Sequence, residues 1–240
     1  MKLSSPIPNV VFPSIHDYKI EACDEPLVSL RNAGFSCRPY YYETGIAGSI
    51  KECYARESAV ALLQAARKNL PDNLDFKIYD AYRPIAVQQR LWDFYRSSVI
   101  GKNPGASIDE IDLKTSFFVS KPSYDENNPS LHNTGGAIDL TLIDKLTGKE
   151  LNMGTEFDDF SSRAWTNHYE PNYAEHEVDE EVMNNRRILY NAMIEAGFTN
   201  LPSEWWHYDY GTKFWAYFKH KNALYKGIIH HDFKPVFPIT

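Results

Sequence analysis

Residues 130–142, SLHNTGGAIDLTL, set a carboxylate inside an apolar run. His132 opens the stretch, the Gly135-Gly136 pair lets the chain turn, and Asp139 follows within what otherwise reads as a strand. Burying an unpaired charge is costly, so a chain that does so pairs the charge or gives it a metal. A second histidine with company is His207, three residues after Glu204 in EWWHY. Catalytic zinc takes three protein ligands from histidine and carboxylate and keeps a fourth position for water. His132, Asp139 and His207 would supply those three, for one zinc ion per chain. Glu204 is then left over, which suits a general base on the zinc-bound water, whose pKa the metal lowers to roughly 7.

Each piece has a plainer reading. A His-x6-Asp spacing arises by chance, and EWWHY also fits an aromatic core strand with polar edges. Arg83, closing YDAYRP, could be a surface ion pair at a strand end. Together the three segments share a theme, a polar group at the end of an apolar strand. The remaining histidines, His16, His168, His176, His220 and the pair His230-His231, lie in polar or terminal surroundings without companion ligands. HEVDE at 176–180 begins like the zinc motif His-Glu-x-x-His but has Glu180 where the second histidine belongs, and is set aside.

The elements that must position these groups follow from periodicity. Residues 52–69 place Ala55, Ala59, Leu62, Leu63 and Ala66 on one helical stripe. FKIYDAY, from Phe76, reads as a strand with Phe76 and Ile78 on one face, and Pro84 starts a helix whose buried side carries Val87, Leu91 and Phe94 or Tyr95. Residues 100–129 are polar and punctuated by Pro and Gly, apart from SFFVS. AIDLTLID is a strand that turns back through Gly148. Residues 154–177 are long and irregular, more an active-site loop than a linker. Asp179 caps a helix over about 180–196 that stops at Gly197 and turns Val182, Leu189, Met193 and Ile194 inward. EWWHYDYG reads as an aromatic strand. Residues three apart on a strand face opposite sides, so Glu204 sits either in the preceding loop or at a bulge.

Strands and helices alternate without a regular βαβ rhythm, which predicts an α+β fold with a mainly antiparallel sheet, one domain over 1–240. The composition, 43% hydrophobic and 24% charged, is that of an ordinary globular chain. A net charge of −7 argues against nucleic acid as the main partner. No apolar run reaches membrane-spanning length, and the first residues lack a signal-peptide core. The cytoplasm is the default location, although a chain that had lost a periplasmic leader would look the same. Cys23, Cys37 and Cys53 show no Cys-x-x-Cys spacing and read as free thiols.

YDAYRP, SLHNTGGAIDLTL, MGTEFD and EWWHY, in that order, resemble the signature elements of the VanX-type zinc D-alanyl-D-alanine dipeptidases. The family pattern Ser-x-His-x-x-Gly-x-Ala-x-Asp is met by Ser130, His132, Gly135, Ala137 and Asp139. NNRRILYNAMIEAGF, before EWWHY, is similar as well, and the likeness runs from about residue 40 to 210. The resemblance implies a scaffold shared with zinc DD-carboxypeptidases and the hedgehog signalling domain, a small antiparallel sheet with packed helices. It implies hydrolysis of the small dipeptide D-Ala-D-Ala to two D-alanines, with His132, Asp139 and His207 on zinc and Glu204 as base. It further implies that Arg83 steadies the oxyanion, that Asp158 holds the substrate's free amine, and that Ser130 lies near the substrate's carboxylate. Tyr40, Tyr41 and Tyr42 are candidate substrate contacts.

Two other readings share the metal set. A zinc D,D-carboxypeptidase acting on murein peptides would keep the ligands and the base, but it leaves Asp158 without a free amine to bind. A binding or signalling module that keeps zinc without chemistry would not need Glu204 or Arg83, and both are present.

Overall fold

Seven of the eight residues of the strand Ala137–Asp144 are buried, and the fold is arranged around it. The computed structural model describes residues 2–10, 18–116, 119–171 and 179–229. Numbered along the chain, the strands are β1 (Leu27–Ser29), β2 (Ser36–Cys37), β3 (Tyr54–Arg56), β4 (Leu74–Asp80), β5 (Ala137–Asp144), β6 (Thr199–Asn200) and β7 (His207–Asp209). The main sheet runs β2-β4-β5-β7-β6. It is antiparallel except where β2 joins β4, and a separate antiparallel pair joins β1 to β3. A strand covered on both faces reads as a continuous apolar run, which is why AIDLTLID shows so little alternation.

The helices are α1 (Tyr40–Glu43), α2 (Glu57–Lys68), α3 (Ile85–Lys102), α4 (Ile108–Ser116), α5 (Glu180–Ala196) and α6 (Lys213–Lys219). Helix α5 lies on β5 and packs against α2. Its ends follow the sequence signals. The Asp179 carboxylate accepts from the Val182 amide at 3.0 Å, and Gly197 closes the helix in the left-handed conformation. Ile194, expected inward, is only half-buried. Helix α3 begins directly after Pro84, and its buried side uses Tyr95 rather than Phe94, which is 68% exposed.

Three expectations shift. The helix expected from residue 52 starts at Glu57, because Tyr54–Arg56 pair with Leu27–Ser29 as β3, and Ala55 is buried as a strand residue. The polar stretch 100–129 contains α4, opened by a reciprocal cap: the Glu110 amide donates to Ser107 Oγ, and the Ser107 amide donates to Glu110 Oε2. The aromatic strand contracts to His207–Asp209. The loop after Gly154 is irregular as expected apart from a 3-10 turn at Ser162–Ala164, and its residues 172–178 lie outside the described residues.

Residues 19–25 and 223–228, which carried little pattern, are packed against each other and against the rest of the chain. Ile20 bridges Ala223, the Cys23 amide donates to the Leu224 carbonyl, and Tyr225 OH donates to Glu25. Beyond them the Gly227 amide donates to the Glu126 carbonyl and the Ile228 amide to the Asn133 carbonyl. All three cysteines are free. Among the described residues, no helix is long and apolar enough to cross a membrane.

The turn into β5 depends on both glycines. Gly135 has φ 76°, and a Cβ on Gly136 would run into the Tyr210 carbonyl oxygen and the Tyr225 ring. A backbone oxygen has little room to yield. Gly136→Ala should therefore lower stability by about 1–3 kcal/mol, the usual cost of overpacking. Urea denaturation against wild type measures it, and an unchanged midpoint would refute the close approach.

Candidate active site

Opposed residues on neighbouring strands share a face, and one such row crosses the sheet. Asp80 of β4 lies opposite Asp139 of β5, which lies opposite His207 of β7. The β4–β5 register shifts between Ile78 and Asp80, which brings Asp80 into that row. His132 reaches the same place from a 3-10 turn, His132–Thr134, whose His132 carbonyl accepts from the Arg83 amide at 3.1 Å. The strand end and the turn are thus fastened together by the residues they display.

Hydrogen bonds fix which ring nitrogens are bare. His132 Nδ1 is 2.8 Å from the Ala81 carbonyl, which can only accept, so Nδ1 carries the proton and Nε2 keeps a lone pair. His207 Nε2 is 2.9 Å from Asp209 Oδ2, so it donates there and, in the neutral ring, Nδ1 keeps a lone pair. These two bare nitrogens are 3.1 Å apart. Asp139 completes the triangle, with Oδ2 at 3.2 Å from His132 Nε2 and Oδ1 at 3.0 Å from His207 Nδ1. Asp139 Oδ1 is buried and has no hydrogen-bond partner. Three acceptors facing one another call for a cation among them, either a proton on His207 Nδ1 or a metal ion.

A metal ion fits this donor set. Two imidazoles and a carboxylate are the three-ligand pattern of catalytic zinc. Corners of a tetrahedron with ~2.0 Å bonds are about 3.3 Å apart, close to the separations here. The surrounding charges agree. Burial works against charging His207, but Asp209 and Asp139 prevail and hold its imidazole well above the usual range. Burial likewise opposes ionisation of Asp139, yet His132 and His207 hold its carboxyl below the usual range. The site favours positive charge at its centre.

Glu204 is delivered by a turn rather than a strand. Its amide donates to the Leu201 carbonyl at 3.0 Å, and the His207 amide donates back to its carbonyl at 3.3 Å. That reversal puts Glu204 and His207 on the same side despite their spacing. Glu204 Oε2 stands 3.7 Å from His207 Nδ1, beside the three donors, and burial pushes its carboxyl up to about 7.

Arg83 is held on every side. Nε donates to Asp80 at 2.8 Å, Nη1 to Gln88 Oε1 at 2.9 Å and Nη2 to Tyr41 OH at 3.3 Å. Nη2 is also 3.5 Å from Asp139 Oδ2, so the guanidinium borders the triangle. Asp158 lies beyond it with φ 66°, a left-handed conformation that is uncommon for a residue with a side chain. Tyr41 OH donates to one of its oxygens at 3.2 Å and Tyr95 OH to the other at 3.4 Å, while burial pushes the carboxyl up to about 6.

The fold brings every expected site residue together. Ser130, Arg83, His132, Asp139, Asp158, Glu204 and His207 all line one cavity of about 50 Å³. Of the three tyrosines only Tyr41 enters it, and Tyr42 is 45% exposed. Sequence reasoning missed Asp80, Gln88, Tyr95 and Asp209. Asp209 was readable, because i and i+2 share a face on a strand. His168 corrects an expectation: it is buried against Tyr169 rather than in polar surroundings, away from the cavity. His220 ends α6, and His16, His176, His230 and His231 lie outside the described residues.

Comparison with known proteins agrees in extent and in kind. The M15 peptidase family model, described as D-ala-D-ala dipeptidase, matches residues 39–223. A D-alanyl-D-alanine dipeptidase of Synechocystis sp. is 33% identical over 215 residues, 82% of this chain and 87% of that protein. One from Escherichia coli is 31% identical over 156 residues, 64% of each. Among solved structures, VanYB in complex with D-Alanine-D-Alanine aligns at a TM-score of 0.45 and 16% identity, over 84% of this chain and 87% of that one. The family match and the Synechocystis relative identify the chain as a peptidase and a member of the M15 D-ala-D-ala dipeptidase family.

Proposed function

We propose that the protein hydrolyses the free dipeptide D-Ala-D-Ala to two D-alanines, with one zinc ion per chain on His132 Nε2, Asp139 and His207 Nδ1. The observation that carries this reading is the buried His132–Asp139–His207 triangle with Glu204 and Asp158 lining the same cavity. The names of the relatives support the substrate.

Bound zinc supplies Lewis acidity, lowering the pKa of a water in its open position to roughly 7. Glu204 takes a proton from the water that attacks the scissile carbonyl carbon. Arg83, immobilised by Asp80, Gln88 and Tyr41, stabilises the negative charge that develops on the carbonyl oxygen. Glu204 then passes its proton to the departing nitrogen as the C–N bond breaks. Asp158 receives the ammonium of the N-terminal residue, and Ser130 stands at the carboxylate end. Four carboxylates, Asp80, Asp139, Asp158 and Glu204, act on one guanidinium, that of Arg83, a balance suited to a dication and a substrate ammonium.

The ligands and the base separate experimentally. His132→Ala, Asp139→Ala and His207→Ala should each lose bound zinc, because two remaining ligands hold it weakly. Metal analysis of the purified variants decides this, and full zinc in His207→Ala would make the triad wrong. Glu204→Ala should keep its zinc and lose turnover by about 10²- to 10⁴-fold. Zinc lost in step with activity would make Glu204 a ligand instead.

Substrate length gives a further test. An acyl group on the substrate nitrogen removes its charge and leaves Asp158 facing an uncharged amide, a penalty of several kcal/mol for a stranded buried partner. N-acetyl-D-Ala-D-Ala should therefore react at least about 10²-fold more slowly by kcat/KM than the free dipeptide. Asp158→Ala should slow the free dipeptide and narrow that gap. Equal rates in wild type would favour a D,D-carboxypeptidase of murein peptides.

A further inference from the structure

Helix α5 carries a buried arginine that the proposed chemistry does not use. Arg186 is 1% exposed. Its Nε donates to the Met153 carbonyl at 2.8 Å, Nη1 to the Trp165 carbonyl at 2.6 Å and Nη2 to the Arg163 carbonyl at 2.7 Å. All three bonds end on backbone carbonyls rather than on a carboxylate, and burial pushes the guanidinium down to about 9. Its faces are covered by aromatic rings, Tyr169 at 4.8 Å and Trp205 at 6.0 Å. A desolvated cation without a carboxylate is an expensive way to bond three carbonyls, so what it holds is informative.

The three carbonyls belong to the two ends of one loop. Met153 stands at its start, and Arg163 and Trp165 at its end. Between them lie Phe157, buried against Tyr79 and Trp206, Asp158 at φ 66°, and Phe160 in the cavity wall. A single planar guanidinium thus closes the neck of an Ω-shaped loop whose tip carries the carboxylate assigned to the substrate ammonium. Asn185, next to Arg186, adds a bond from Nδ2 to the Asn152 carbonyl at 2.9 Å.

We propose that Arg186 is a positioning residue for substrate selection: by closing the 153–165 loop it fixes Asp158, and with it the preference for a free amine. This rests on the dipeptidase reading above. The same loop also braces the Glu204 turn, since the Trp205 amide donates to the Ala164 carbonyl and Trp205 Nε1 to Thr155 Oγ1. Overall rate alone therefore does not identify what Arg186 controls. The ratio of kcat/KM for free against N-acetylated D-Ala-D-Ala does. A disturbance at Glu204, or a loss of folded protein, lowers both substrates alike, whereas a displaced Asp158 penalises only the free one.

Arg186→Lys keeps the charge but cannot bridge three carbonyls. It should lower the ratio by about tenfold, in the range that small misplacements of a binding group produce. Zinc content should stay at the wild-type level, and amide hydrogen exchange should quicken across 153–165 relative to the sheet. If Arg186→Lys does not fold, Asn185→Ala, which frees the Asn152 carbonyl alone, should move the ratio and the exchange in the same direction by less. A ratio equal to wild type in the folded variant, or loop exchange no faster than before, overturns the assignment. Wild-type protein inactive on both substrates would sink the dipeptidase reading and this inference with it, a result distinct from an active enzyme whose ratio ignores Arg186.

Discussion

The negative charge of Asp139 sits near the start of the central strand, and the surrounding structure is organised around answering it. Opposed residues on two strands and a turn bring Asp80, His207 and His132 to it, and Arg83 borders it from the β4–α3 junction. In a low-dielectric interior such a charge is tolerated only when the groups around it are held in place. That explains why so much of the neighbourhood is itself hydrogen-bonded: Ala81 and Asp209 fix the two rings, and Asp80, Gln88 and Tyr41 fix the guanidinium. A core of apolar residues alone would leave these groups free to neutralise one another in other arrangements.

Around that centre the protein separates two duties by element type. Groups facing the reacting bond come from the sheet and from turns tied directly to it. The carboxylate assigned to the substrate's amine is borne by a loop instead. Loops vary easily between related chains, whereas a cross-strand row does not change without disturbing its neighbours.

Much of this was legible in the sequence, for physical reasons that differ by residue. Phe76, Ile78 and Leu140 are fully buried as the apolar strand pattern required, and Asp179 and Gly197 bound α5 because capping chemistry is local. His132, Asp139 and His207 were visible because few roles explain those types at the edges of apolar strands. Glu204 was ambiguous because spacing on a strand does not anticipate a chain reversal. The reciprocal Ser107–Glu110 cap was equally local and was overlooked in a segment judged by its polarity. Asp80 and Tyr95 owe their places to strand register and helix packing, which depend on partners far along the chain. Arg186 lies within a segment that resembles the family, but nothing in its spacing reveals three carbonyls on a distant loop.

The packed chain ends bear on how the site is assembled over time. The turn that presents His132 is held by Ile228, through Asn133, and that terminal segment is bonded in turn to residues near position 20. Tyr225 and Glu25 meet across 200 residues. Contacts so remote in sequence form late, after the entropy of closing a long loop has been overcome. The β4–β5 pair and the Arg83–His132 bond close shorter separations, so they can form before residues 223–228 dock on the Asn133 side of the turn. The row of Asp80, Asp139 and His207 is thus set by contacts closer in sequence than those that complete the support of the His132 turn.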